Sequence, residues 1–236
     1  MADTINSVID LSHHNGDVNL VQAAADGIVG VIHKATQGLG FKDSLYATNK
    51  KKALDAGLLW GAYHFGDASD SVAQADRFLE VVKPDDKTLV VLDFEENTTQ
   101  ATGPAGQSMT LAGARAFVNR INDQVARFPG LYGGVFLKQK LGKQLDPVLA
   151  NCWLWVAQYT LTPAPTVPKN WPTWTMWQYT DGKNGGAPHK VQGIGPCDRD
   201  QFNGDLQALQ TLWGVAADES TGPDDTDAAD STAGGA

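Results

Sequence analysis

Apolar residues along this chain gather in short runs that stop on polar or acidic side chains. Between the runs, apolar positions recur at helical spacing. A run of four to eight apolar residues closed by polar ones is the pattern of a strand buried on both faces. Such runs stand at 7–11, 28–34, 58–65, 89–92, 131–135, 152–159 and 173–179, with a last short one at 195–198 and Phe202. Helical spacing covers Val18 to Asp26, closed by Gly27, and a segment through Leu45, Lys52 and Ala56, closed by Gly57, for which Asp43 is the expected N-cap. A third helix is predicted from Val72 to Val82 before Pro84, and the longest from Thr110 to Phe128, with Leu111, Ala114, Phe117, Val118, Ile121 and Val125 on one stripe. The stretch 137–149 is ambiguous, a short helix interrupted before Pro147, and 162–172 carries too many prolines for a packed helix. A closing helix is predicted from Leu206 to Trp213.

Five strand–helix units of about 30 residues each, then three strands with poor or missing helices, call for parallel strands joined by right-handed crossovers. The predicted fold class is α/β: a single irregular (β/α) barrel of eight strands, roughly (β/α)5(β)3 and TIM-barrel-like. The barrel is expected over 1–214. Residues 215–236, rich in Asp, Ala, Gly, Ser and Thr, are expected to form an acidic disordered tail. A doubly wound open sheet is the competing arrangement, but the first turn carries no nucleotide fingerprint. The glycine-bearing segment 35–40 likewise matches neither a P-loop nor a dinucleotide motif.

Charge narrows the function classes. The net charge is -9, and six acids lie after the last hydrophobic segment, at 218, 219, 224, 225, 227 and 230. Without them the body carries -3, so no basic face for nucleic acid is expected. No apolar stretch approaches the roughly 20 residues that span a bilayer, so no membrane insertion is expected. The first residues lack the basic and apolar regions of a secretory signal. Cys152 and Cys197 are too few for a disulfide framework and are expected as free, buried thiols.

The run Leu89 to Leu92 ends on Asp93, Phe94, Glu95 and Glu96. Strand alternation points Asp93 and Glu95 the same way, their Cα atoms roughly 6.6 Å apart at about 3.3 Å per residue, and Glu96 the other way. Core packing does not ask for two adjacent acids, which repel and are costly to bury. In a parallel barrel the C-terminal strand ends form one mouth. There the chain delivers Asp10, Lys34, Tyr63 and His64, Asp93 and Glu95, Tyr132, Gln158 and Tyr159, Gln178 and Tyr179, and Asp198. Carboxylates, amides and aromatics in one bowl suit a carbohydrate. Clustered acids raise each other's pKa, and a glycosidic bond needs a protonated acid at the leaving oxygen and a negative group near the anomeric centre. A metal site is disfavoured because the histidines show neither H-x-H nor H-E-x-x-H spacing. Trp177 is the one tryptophan read as a sugar platform; Trp153, Trp155, Trp171, Trp174 and Trp213 read as core or wall.

Seven motifs occur in a fixed order: Val8-Ile9-Asp10-Leu11-Ser12-His13, Lys34-Ala35-Thr36, Gly61-Ala62-Tyr63-His64-Phe65, Leu92-Asp93-Phe94-Glu95, Trp155-Val156-Ala157-Gln158-Tyr159, Trp177-Gln178-Tyr179 and Cys197-Asp198-Arg199-Asp200-Gln201-Phe202. In this the chain resembles glycoside hydrolase family 25, the lysozymes (N-acetylmuramidases) of phage endolysins, bacteria and fungi, over about residues 5–213. The resemblance implies an irregular barrel that cleaves the β-1,4 bond between N-acetylmuramic acid and N-acetylglucosamine in peptidoglycan glycan strands, with neither metal nor organic cofactor. It implies Glu95 as general acid, Asp93 as the group that orients the acetamido substituent or stabilises the charged intermediate, and Asp10 and Asp198 as supporting carboxylates. Lys34, Tyr63, His64, Tyr132, Gln158, Trp177, Gln178 and Tyr179 are the expected substrate-binding residues.

The chain departs from the family's usual residues at His14 (commonly Trp), Gln37 (commonly Glu) and Cys197 (commonly Val), none of which is one of the four acids. A glycan-binding barrel without catalysis and a hydrolase of another N-acetylated polymer such as chitin are the alternative readings. A monomer is expected, acting on the cell wall after release or delivery in the manner of a phage endolysin or bacterial effector.

Overall fold

The computed structural model describes residues 4–215. In chain order the elements are β1 (Ile5–Leu11), α1 (Leu20–Ala25), β2 (Gly30–Gln37), β3 (Phe41–Lys42), α2 (Tyr46–Asp55), β4 (Leu59–Phe65), α3 (Ser71–Val82), β5 (Thr88–Asp93), α4 (Leu111–Val125), β6 (Gly130–Gly133), α5 (Val135–Leu141), β7 (Trp153–Ala157), β8 (Met176–Asp181), β9 (Lys190–Val191), β10 (Gly195–Pro196), β11 (Asp198–Phe202) and α6 (Leu206–Leu212). Eight strands form a closed barrel in the order β1, β11, β8, β7, β6, β5, β4, β2, sealed where β1 pairs with β2. All run parallel except β11, which is antiparallel to both β1 and β8. The chain reaches β11 through the β9–β10 ribbon rather than a crossover helix, and a strand reached without a crossover returns antiparallel. The barrel is therefore mixed where the helices run out: the sequence pattern anticipates the irregularity there, but not the antiparallel strand.

Alternation along each strand divides the core in two. Inward positions such as Val8, Ile32, Leu89, Val91, Trp155, Met176 and Phe202 fill the barrel. Outward positions such as Ile9, Leu11, Val31, Val90, Leu92, Leu154 and Val156 pack under the helices, against Phe78 of α3 and Phe117, Val118 and Ile121 of α4. Trp213, fully buried just after α6, plugs the end of the barrel where the strands begin. Its indole Nε1 donates to the Trp60 carbonyl at 3.0 Å and its ring lies on Gly30, where a Cβ would stand 3.3 Å away. With that end closed, the opposite end is left as the mouth.

Local chemistry shifts some expected boundaries. Asp43 does not cap α2, whose N-cap Leu45 has no side-chain acceptor. Its carboxylate accepts instead from Leu45 N at 2.9 Å and from the backbone and ring of His13 at 2.9 and 2.7 Å, tying α2 to the β1 exit. Residues 35–40 are not a free loop: β2 continues to Gln37 and turns at Gly38, with φ of 51°, into the hairpin partner β3. Val135 belongs to α5 rather than to β6, and the ambiguous 137–149 stretch contributes the end of that helix. The acidic segment expected as a tail from 215 lies, beyond Val215, outside the described residues.

Candidate active site

At the C-terminal strand ends, Asp10, Tyr63, Asp93, Glu95, Tyr132, Trp155, Tyr159, Gln178 and Asp198 line a cleft of about 210 Å³. Strand register explains the selection. Laterally paired residues share a face, and the pairs Asp93 with Tyr132, Tyr132 with Trp155, Ala157 with Gln178, and Asp10 with Asp198 carry one inward face around the barrel. Phe94 is fully buried on the helical side, while Glu95, just past β5, returns to the cleft beside Asp93.

One amide organises the floor. The Gln178 carbonyl accepts from Tyr132 Oη at 2.8 Å and Tyr159 Oη at 2.7 Å, and its Nε2 donates to Asp10 Oδ2 at 2.6 Å. Deeper on β11, the fully buried Asp200 accepts from Trp155 Nε1 at 2.7 Å. Among the described residues, two buried carboxylate oxygens have no hydrogen-bond partner, Asp200 Oδ2 and, at the cleft itself, Asp93 Oδ1. A buried acceptor without a donor is costly, so Asp93 Oδ1 is prepared for a donor from a bound molecule.

The same burial sets the electrostatics. Asp10 is held well above the usual carboxylate range, first by desolvation and then by Asp198 and Asp200. Asp93 is likewise held well above the usual range by desolvation and by Glu95, and Glu95 is raised by desolvation and by Asp198. Asp198 is pushed up to about 6 by burial and by Asp181. The Lys34 ammonium opposes the rise at both Asp93 and Glu95, while its own pKa is lowered by burial. Like charges this close cannot all ionise together, so at least one carboxyl of the cluster keeps its proton near neutrality.

The family model of Glycosyl hydrolases family 25 matches residues 9–186. Lysozyme M1 of Streptomyces globisporus is 33% identical over 215 residues, covering 86% of this chain and 70% of that protein. The chain belongs to glycosyl hydrolases family 25. An N,O-diacetylmuramidase of Chalaropsis sp. is 28% identical over 196 residues, covering 78% of this chain and 92% of that protein. Among solved structures, a bacterial lysozyme from Streptomyces coelicolor superposes with a TM-score of 0.76 at 32% identity, covering 91% of this chain and all of that one. A family GH25 lysozyme from Aspergillus fumigatus superposes with a TM-score of 0.73 at 30% identity, covering 89% of this chain and 99% of that one.

In this family 25 barrel the four predicted acids meet at one cleft, together with the predicted Tyr63, Tyr132 and Gln178. Five of the expected binding residues, Lys34, His64, Gln158, Trp177 and Tyr179, do not line it. His64 follows the inward Tyr63 and therefore faces the helices, where it bonds Thr36 Oγ1 at 2.7 Å and Gln74 Oε1 at 2.9 Å and stacks on Phe117. Burial drives its pKa down to about 4, which keeps the ring neutral. Trp177 and Tyr179 flank the inward Gln178 and face outward: the Trp177 indole donates to the Gln158 carbonyl at 2.8 Å, and Tyr179 Oη donates to the Pro188 carbonyl at 3.0 Å. Trp177 is thus a packing residue and not a sugar platform, its ring edge-on to Trp174 and Tyr179. Gln158, one past the inward Ala157, lines a neighbouring groove together with Glu96, which does not line the cleft.

Lys34 lines a flanking groove, donating to Gln37 Oε1 at 2.7 Å, its Nζ 5.1 Å from the Phe65 ring centroid and 5.4 Å from that of Phe41, and it reaches the cleft through its charge on Asp93 and Glu95. The departures His14 and Gln37 line a separate groove on that flank, while Cys197 is buried and free, as is Cys152. Sequence reasoning missed Trp155 and Asp200 as parts of the site. Counting by twos from Asp198 reaches Asp200, and lateral pairing with Tyr132 reaches Trp155.

Proposed function

We propose that the chain is a lysozyme of the N-acetylmuramidase type, hydrolysing the β-1,4 bond between N-acetylmuramic acid and N-acetylglucosamine in peptidoglycan. The observation that carries this reading is the pairing of a deep, partnerless carboxylate oxygen on Asp93 with a half-buried Glu95 at the lip of the same cleft. Glu95 is the general acid. Burial and Asp198 raise its pKa, which favours the protonated form, and its place at the lip would put that proton where the bridging oxygen of a strand crossing the mouth lies. Transfer of the proton to that oxygen accompanies cleavage of the C1–O bond, the electron pair leaving with the oxygen. Positive charge then develops at the anomeric carbon, facing Asp93.

Asp93 answers that charge, and its free Oδ1 accepts the N–H of an acetamido group at C2, which would select N-acetylated sugars. Water attacking C1 returns its proton to the Glu95 carboxylate, which restores the acid. Asp10 is fixed by Gln178 on the floor, and the negative charge of Asp198 raises Glu95, so that Glu95 gives up its proton late. Action at the cell wall, reached by release or delivery, completes the proposal. Glu95→Gln keeps the size of the side chain and removes the proton. It is expected to abolish turbidity loss of cell-wall suspensions while the melting temperature stays within a few degrees; retained lysis would overturn the assignment.

A further inference from the structure

Beside the cleft, on the α5 side, lies a second groove of about 630 Å³, three times the cleft's volume. It shares Glu95 and Tyr159 with the cleft, and Glu96, Phe136, Lys138, Gln158 and Thr166 form much of the remaining wall. Its chemistry is set by Lys138, whose Nζ donates to Gln158 Oε1 at 2.8 Å and Thr166 Oγ1 at 2.9 Å. Gln158 Oε1 also accepts from Thr166 N and Oγ1, at 3.1 and 2.7 Å, so a neutral network holds the ammonium in place without neutralising it. Among the described residues no carboxylate lies within ion-pair distance of Lys138. Half-burial lowers its pKa with no anion opposing that shift. An ammonium has three donors, so one N–H and the full charge remain for a ligand.

The groove's position says which part of a glycan it meets. The acid that protonates the leaving oxygen stands on the border between cleft and groove, so the half of the strand that departs with that oxygen runs over the groove. That half begins with a neutral N-acetylglucosamine and continues with a muramic acid, the first unit carrying a carboxylate. We propose that this groove takes the leaving half of the strand and that Lys138 binds a carboxylate there, one neutral sugar beyond the bond cut. The proposal rests on the muramidase reading. The carboxylate has two possible sources of one chemistry, the lactyl ether of the muramic acid when no peptide is attached, or the stem peptide when one is.

The test compares wild type, Lys138→Gln and Lys138→Arg by reducing-end release from four tetrasaccharides of alternating N-acetylglucosamine and N-acetylmuramic acid. Two are peptide-free, with lactyl carboxylates free or converted to methylamides; two bear stem peptides, with carboxylates free or amidated. The glutamine variant is expected to raise KM about fivefold on the carboxylate-bearing substrates with kcat unchanged, the size of a half-exposed ion pair. It leaves the amidated ones unaffected, and arginine restores most of the loss. A loss confined to the free lactyl form assigns the lactyl source, and one confined to the free peptide form assigns the peptide; both support the proposal. Equal KM for wild type and Lys138→Gln on all four substrates overturns it, as does an equal loss on charged and amidated forms, which a structural role would give. If wild type releases no reducing ends from any of them, the muramidase reading itself fails.

Discussion

Asp198→Asn separates a carboxylate kept for chemistry from one kept for the fold. Asp198 opens β11 opposite Asp10, and burial together with Asp181 pushes its pKa up to about 6 from the ordinary 3.8. The folded state therefore binds this proton more tightly than the unfolded chain does. Stability from it is fully present below about pH 4 and is lost as pH rises through about 6, a difference worth at most about 3 kcal/mol. Only its own backbone supplies a hydrogen bond that lowers the value, so the amide forfeits no side-chain partner. Urea denaturation should show Asp198→Asn more stable than wild type at pH 8, by up to about 3 kcal/mol, and nearly equal to it at about pH 3.5. In the same variant the high-pH limb of the lytic rate should move to lower pH, because Asp198 no longer raises Glu95. A variant less stable than wild type at pH 8 would refute the reasoning. Asp146 supplies that contrast: it accepts from Arg115 Nε at 2.7 Å and from the N–H groups of Val148 and Leu149, and its replacement by Asn should destabilise at pH 8.

Other substitutions test the division between inner and outer faces. His64→Ala should cost about 2–4 kcal/mol in urea denaturation, from the lost packing on Phe117 and two buried hydrogen bonds, with kcat and KM unchanged well below the melting temperature. Trp213→Ala opens the plugged end of the barrel and should cost about 3–5 kcal/mol, again without a change in the pH profile of activity.

Strands, helices and the closed barrel were legible in the chain because buried parallel strands must be apolar runs and the helices over them must carry stripes. The site was legible to the level of strand ends. What the pattern left open was parity: Tyr63 and His64, or Gln178 and its neighbours Trp177 and Tyr179, arrive together at the mouth, and only one of each set faces in. Register decides between them, and register comes from pairing across strands. A purely local reading of Asp43 likewise missed that its carboxylate is taken by His13, thirty residues away in sequence. Asp200 and Trp155 escaped because a buried acid and a buried indole each read as structural until the 2.7 Å bond between them is seen beneath the cleft.

The central claim is the bond that is cut. Purified peptidoglycan digested with the wild-type protein, reduced with borohydride and hydrolysed, should yield muramitol from newly exposed N-acetylmuramic acid ends, with none above background from Glu95→Gln. Glucosaminitol in its place would contradict the account.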